Sequence, residues 1–322
     1  MIAILAGLGA AVMWATATVC SSRSSRMIGA GSVLAWVMLV GLVITLPWAL
    51  ASGVPSGLHG SAVGWLAIAG VGNVLGLLLE YAGLSVGKVG IVAPIASTEG
   101  AIAALLAVVA GEQLAPGAGL ALAVITAGIF LATFSRDGQE EADGVAMSSD
   151  GPGAPRTPRA LAAGASAPDA SVVAASGALH AGRRNHARAA LLSIAAAVSF
   201  GVSLYAAGRI SGDLPLAWVL LPARLVGVAA VALPLALTRR LRLTRNAIRF
   251  VVAAGLAEVV GFVSFVLGAR HGIAITAVLA SQFAALSAIA AYLLFGERLR
   301  RTQIAGVGAI AVGVAVLTAL RA

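Results

Sequence analysis

The sequence predicts an all-α integral membrane protein with ten transmembrane helices, arranged as two inverted repeats of five. Three observations carry that expectation. The first is composition: 60% of the 322 residues are hydrophobic, only 10% are charged, and mean hydropathy is +1.00, whereas a soluble domain carries roughly a quarter charged residues. The second is the spacing of apolar runs, ten of which approach the length that crosses a bilayer. The third is internal duplication. Adding 185 to the residue number carries Gly70–Thr133 onto Gly255–Thr318 without a gap, and Gly70/Gly255, Gly76/Gly261, Gly83/Gly268, Gly87/Gly272, Gly111/Gly296, Glu112/Glu297, Gly128/Gly313 and Thr133/Thr318 coincide. Fused copies of one membrane unit are built to meet around a site near the bilayer midplane.

A hydrocarbon core takes about 20 apolar residues as a helix, because each unpaired backbone group in lipid costs several kcal/mol. The first run, 2–20, has no basic n-region and no A-x-A cleavage site leading into a polar mature domain, so it reads as a retained span. Runs 32–51, 62–84, 89–110 and 115–134 complete the first repeat, taken as 1–134. Segment 135–187 holds Asp137, Glu140, Glu141, Asp143, Pro152, Pro155, Pro158 and Pro168 among Gly, Ala and Ser. It has too little bulky apolar surface to offset the entropy of ordering and is expected to be a disordered linker. Runs 189–208, 215–237, 248–268, 273–295 and 302–320 then make the second repeat, 188–322.

Five spans is an odd number, so the second repeat enters the membrane from the opposite face. Arg23, Arg26, Lys88, Arg136, Arg183, Arg184, Arg188, Arg239, Arg240, Arg242, Arg245, Arg249, Arg298, Arg300 and Arg301 fall on the linker's side, against Arg209, Arg270 and Arg321 on the other. The positive-inside rule places the linker in the cytoplasm and both termini outside. The net charge of +9 therefore reflects headgroup-facing clusters rather than a nucleic-acid surface. One cysteine, Cys20, excludes an internal disulfide and a Cys-rich metal site.

Each repeat ends alike: a span closing on Gly-Glu, a short polar turn, then a span of small residues. The segments Gly111-Glu112-Gln113-Leu114 and Gly296-Glu297-Arg298-Leu299, with Met13-Trp14-Ala15 and its counterpart Ser199-Phe200-Gly201, resemble the EamA family of the drug/metabolite transporter superfamily over both halves of the chain. That resemblance implies a ten-helix carrier of the cell membrane that moves small metabolites, often outward, through a central cavity. It also implies cytoplasmic termini, opposite to the charge distribution.

Glu112 and Glu297 sit at helix ends and read as caps or hinges. Deeper lie Glu99, Glu258 and Arg224, near the middle of their runs, where an unpaired charge costs a few kcal/mol or more and must find water, a partner or cargo. Glu80 lies nearer a span end, within reach of the interface. Arg224 pairing with Glu258 or Glu99 is the structural alternative. The functional one makes Glu99 or Glu258 a proton-exchanging acid and Arg224 the anchor for a substrate carboxylate. Neither acid recurs at the 185 offset, where Glu99 meets Ala284 and Glu258 meets Asn73. Asn73, Gln282, Ser97, Thr98 and Ser281 add hydrogen-bonding groups at similar depth, and Pro94 kinks the run containing Glu99. Substrate-binding candidates are thus Glu99, Arg224, Glu258, Gln282 and Asn73.

Trp36 and Trp218, in matching Leu-Ala-Trp-Val contexts, read as interfacial anchors, and the glycines of 117–119 and 306–313 as close-packing positions. His59, His180, His186 and His271 lie in loops, in the linker or at a span boundary, and no HExxH, GxSxG or phosphate-loop pattern occurs, so neither catalysis, a metal nor a cofactor is expected. The sequence points to a secondary active transporter of small organic metabolites, possessing lipids and a small solute as partners and protons as candidate coupling ions. A passive channel and a non-transporting scaffold are the alternatives, and monomer and homodimer are both compatible. A reporter active only in the cytoplasm, fused within 135–187, is expected to be active if the arginine bias sets orientation; silence there, with activity at the termini, reverses the topology.

Overall fold

Backbone groups in lipid must bond within their own segment, so spanning elements are helices or closed barrels. In the computed structural model, which describes residues 1–86, 92, 95–133, 170–295, 305–306, 308–310, 312–314, 316 and 320, every regular element among the described residues is helical. These are α1 (Ile2–Ile28), α2 (Ala30–Ala51), α3 (Gly60–Val86), α4 (Glu99–Val109), α5 (Ala118–Thr133), α6 (Ala170–Arg209), α7 (Leu216–Gly227), α8 (Leu233–Leu237), α9 (Arg245–Ala269), α10 (Ile273–Ala280) and α11 (Phe283–Phe295), with a π-helical stretch Val228–Ala232 joining α7 to α8. Further helical residues lie within 305–316.

Six helices among them are long and apolar enough to cross a membrane: Ile2–Ile28, Ala30–Ala51, Gly60–Gly83, Ala187–Arg209, Leu216–Leu237 and Arg245–Ala269. The apolar helices Glu99–Val109, Ala118–Gly128 and Ile273–Ser287 are shorter. Where continuous spans were expected over 89–110 and 273–295, the chain instead turns at Ser97–Thr98 and at Ser281–Gln282. The hydroxyls beside the breaks satisfy freed carbonyls: Thr98 Oγ1 donates to the Ile95 carbonyl at 2.7 Å and Ser281 Oγ to the Val278 carbonyl at 2.9 Å. Helix α1 continues to Ile28, past the expected end at 20, and Gly29, with φ of 85°, turns the chain directly into α2. Helix α6 begins at Ala170, upstream of the expected boundary at 188. Pro94, Lys88, Glu297 and linker residues 135–169 lie outside the described residues.

The two sequence halves interlock rather than sitting side by side. Helix α1 packs along α9, α3 along α6, α2 along α7, and α4 against α10. The contacts recur with the halves exchanged. A Cβ on Gly76 would strike the Phe200 ring, and one on Gly261 the Trp14 ring; one on Gly128 would strike Gly306 and Ile310, and one on Gly313 would strike Ala121 and Ile125. The Trp36 indole donates to the Arg242 carbonyl at 3.0 Å, while Trp218 donates to the Gly53 carbonyl at 2.9 Å. The matching tryptophans thus tie each half to a loop of the other, a role more specific than headgroup anchoring.

Glu112 closes the join between halves as a cap. Its carboxylate accepts from the Ile273 amide at 3.0 Å and the Ala274 amide at 3.2 Å, satisfying donors at the start of α10 that have no partner within the helix. Gly272, at φ 142°, lets the carboxylate approach. Replacing Glu112 with Ala should lower the stability of the purified protein by about 1–2 kcal/mol, read as a lower melting temperature, with Glu112→Gln losing less. Gly100 marks the other tight crossing, since a Cβ there would collide with the Ala277 carbonyl and Ser281 Oγ. Gly100→Val should cost about 1–3 kcal/mol by forcing α4 from α10, whereas Gly119→Ala, which meets nothing, should melt like the parent.

Candidate functional site

The interlocked pairs leave a cavity of about 680 Å³ between them, within the size range of pockets for small organic ligands. One wall is α1 and α9, contributing Trp14, Thr18, Ser21, Ser22, Ser25 and Arg26 from α1 with Glu258 and Phe262 from α9. The opposite wall is α3 and α6, with Asn73, Leu77, Glu80 and Tyr81 from α3 and Phe200 and Leu204 from α6. Glu99, in the first turn of α4, and Phe283, the first residue of α11, reach it from the two helix breaks. Along α1 the lining runs from Trp14 to the exposed Arg26, about 18 Å at 1.5 Å per residue and more than half of a hydrocarbon core. Towards the other face the bundle is filled by the core that includes Ala10, Leu66, Ala69, Leu204, Leu220, Phe265, Val266 and Ala277.

Helical periodicity explains which side chains meet. On α1, Trp14, Thr18, Ser21, Ser22 and Ser25 recur at three- and four-residue steps, giving one polar stripe below an aromatic residue. On α3, Asn73, Leu77, Glu80 and Tyr81 do the same. Glu80, which the sequence places near an interface, is therefore a cavity residue. Its spacing of seven from Asn73 is the signal that identifies it. The aromatic residues Tyr81, Phe200, Phe262 and Phe283 were not distinguishable from ordinary apolar packing positions by sequence.

Of the five candidates, the structure brings Glu99, Glu258 and Asn73 to the cavity. Glu99 is 6% exposed and Asn73 5% exposed. Glu80, Glu99 and Glu258 all line this one space. Asn73 Oδ1 is buried without a hydrogen-bond partner among the described residues, and so is the Trp14 Nε1 donor.

Arg224 stands behind the wall. It is 1% exposed, its Nη1 lies 3.6 Å from Glu258 Oε1 and 3.6 Å from Met38 Sδ, and its guanidinium carbon sits 5.3 Å from the centre of the Phe262 ring. Gly41 makes room for it, since a Cβ there would strike its side chain, just as one on Gly227 would strike Met38. Arginine and methionine thus occupy equivalent places in the two halves. In this state Glu258, rather than a cargo carboxylate, is the partner of Arg224, and removing either member alone would strand a buried charge at a cost of about 3–5 kcal/mol. Gln282 does not line the cavity; it is 4% exposed within the α10–α11 break, and its Nε2 has no partner among the described residues. Among the described residues no group of three His, Cys, Asp or Glu side chains is placed to hold a metal ion.

A structure comparison agrees with this architecture. A solved crystal structure of a protein matches 99% of this chain and 96% of its own length at a TM-score of 0.71 and 18% identity, a likeness of fold alone. No match was found among curated proteins. The EamA-like transporter family matches residues 1–134 and 187–319, the two halves that carry the internal repeat and build the cavity. The chain belongs to the EamA-like transporter family, a multi-pass membrane protein of the drug/metabolite transporter superfamily.

Proposed function

We propose that the protein is a secondary active carrier of small organic solutes in the cell membrane, that it works by alternating access, and that it exchanges protons as it does so. The full complement is ten spans in two inverted repeats of five, with the breaks at Ser97–Thr98 and Ser281–Gln282 each interrupting a span near the midplane. The observation that carries the proposal is the carboxyl-lined cavity of about 680 Å³, which runs to one face of the bundle and ends against packed core towards the other. A channel needs a continuous path, and a scaffold needs no cavity of this size.

The moving units in this mechanism are the two mixed pairs, α1 with α9 and α3 with α6, because each pair is more intimately packed than either sequence half is within itself. Crossings of α2 with α7 and of α4 with α10 serve as the pivot. Rocking the walls about that pivot closes the vestibule beside Arg26 and opens the packed face, carrying cargo and proton past one point. Glu99 is the proton-exchanging acid, since it stands at the pivot between both walls and no described cation meets it. Arg224 holds Glu258 on one wall, and Asn73 faces it from the other. Gln282 supports the break. Export is the direction that family resemblance implies.

In proteoliposomes, flux is expected to saturate and to show counterflow, while ohmic single-channel currents would replace the carrier with a channel. Glu99→Gln keeps shape and hydrogen bonding but cannot exchange a proton. It should abolish the response of flux to an imposed pH gradient, a loss of at least tenfold in driven accumulation, while insertion and melting stay near parental. Full pH-driven transport by that variant would remove Glu99 from the coupling step.

A further inference from the structure

The carrier reading leaves the cargo open, and three features of the cavity narrow it. The charge is the first. Glu80, Glu99 and Glu258 all face the space, while Arg224, the cation at their depth, is covered and committed to Glu258. The remaining cation on the lining, Arg26, stands exposed at the end of α1. Two carboxyl groups, on α3 and α4, are therefore left without a described cation inside a region that punishes uncompensated charge. Second is the orphaned acceptor. Asn73 is 5% exposed, lines the same space, and its Oδ1 lacks a hydrogen-bond partner among the described residues; a buried acceptor left in that state is penalised until a donor arrives. Third is the apolar end. Trp14, Phe262 and Phe283 meet there, with ring centres 5.2 Å apart for Trp14–Phe262 and 6.2 Å for Trp14–Phe283.

These features need different things from a ligand. Carboxylates need positive charge, Asn73 needs an N–H or O–H donor, and the rings need apolar body or a cation over a face. A metal ion would meet the first need only, and the acids are not clustered to chelate one among the described residues. A carboxylate-bearing solute without an amine would place like charge beside Glu80 and Glu99.

We infer that the cargo is a protonated organic amine with an apolar or aromatic body, held with its ammonium group among Glu80, Glu99 and the Asn73 amide and its body against Trp14, Phe262 and Phe283. This rests on the carrier reading of the same cavity. The amine N–H supplies the donor that Asn73 lacks, and the positive charge spans from the α3 wall to the pivot helix α4. Cargo binding would thereby join the elements that must move together.

The test uses the purified full chain and three probes matched in size: phenethylamine, phenylacetate and phenethyl alcohol. Phenethylamine at pH 7 is expected to raise the melting temperature by several degrees in a saturable way, with the anion and the alcohol giving no comparable shift. Glu80→Gln and Glu99→Gln should each weaken apparent phenethylamine affinity about tenfold or more, as loss of a charged hydrogen-bond partner does. Their unliganded melting curves report that they are folded. Asn73→Leu should weaken phenethylamine while leaving trimethyl(phenethyl)ammonium, which has no N–H, unchanged. Stabilisation by phenylacetate equal to that by phenethylamine overturns the inference, as does an absence of stabilisation by either cation, or a phenethylamine shift that survives in both glutamine variants. Counterflow separates this from the carrier reading. Selective amine binding with no counterflow of labelled phenethylamine refutes the carrier and leaves the charge preference standing, while counterflow of phenylacetate alone refutes the amine and leaves the carrier standing.

Discussion

A break in a buried helix leaves backbone groups that need other partners, and the structure is arranged around two such breaks. Ser97–Thr98 and Ser281–Gln282 interrupt the chain at corresponding points of the two repeats. Local hydroxyls take the freed carbonyls, and the half-helices that follow, α4 and α11, place Glu99 and Phe283 at the cavity. Gly100 then lets α4 press onto α10 where the second break occurs. Stability and site share one crossing, so an altered packing contact there shifts the very residues that face the solute.

Around that crossing the scaffold repeats while the chemistry does not. Gly76 seats Phe200 and Gly261 seats Trp14; Gly41 seats Arg224 and Gly227 seats Met38. Backbone approach is thus the same in both halves, set by glycines at equivalent positions. The cavity's ionisable groups do not repeat: at the 185 offset Glu99 answers to Ala284, Glu258 to Asn73 and Glu80 to Phe265, and in the Gly41 and Gly227 contacts Arg224 answers to Met38. Duplication supplies two walls whose helices approach through like glycine contacts. Later divergence of side chains, on this view, sets what the space between them binds, since a glycine contact constrains the helix path but leaves the cavity-facing position free.

The Arg224–Glu258 pair illustrates how burial divides labour among charges. They come from packed helices, α7 and α9, but only Glu258 reaches the cavity, at 18% side-chain exposure against 1% for Arg224. Phe262 lies between the two roles, with Arg224 near one ring face and the cavity beside it. The guanidinium therefore holds one wall acid in place, leaving Glu80 and Glu99 as cavity carboxyls with no described cation beside them.

Membrane character, the two family-matched halves and the Glu112 cap were legible from sequence, because hydropathy, an exact 185-residue spacing and Gly-Glu at a span end are local properties of the chain. Counting along apolar runs also singled out Glu99, Glu258 and Asn73, which line the cavity. The breaks were not legible: 89–110 and 273–295 are as apolar as continuous spans, and hydropathy does not register a two-residue turn whose backbone is satisfied by its own hydroxyls. Only tertiary structure decided that Arg224 is sealed while Glu80 is exposed to the cavity, because which face of a helix meets space and which meets a neighbour depends on how α2, α3, α7 and α9 cross, and that is fixed by contacts between residues more than a hundred positions apart.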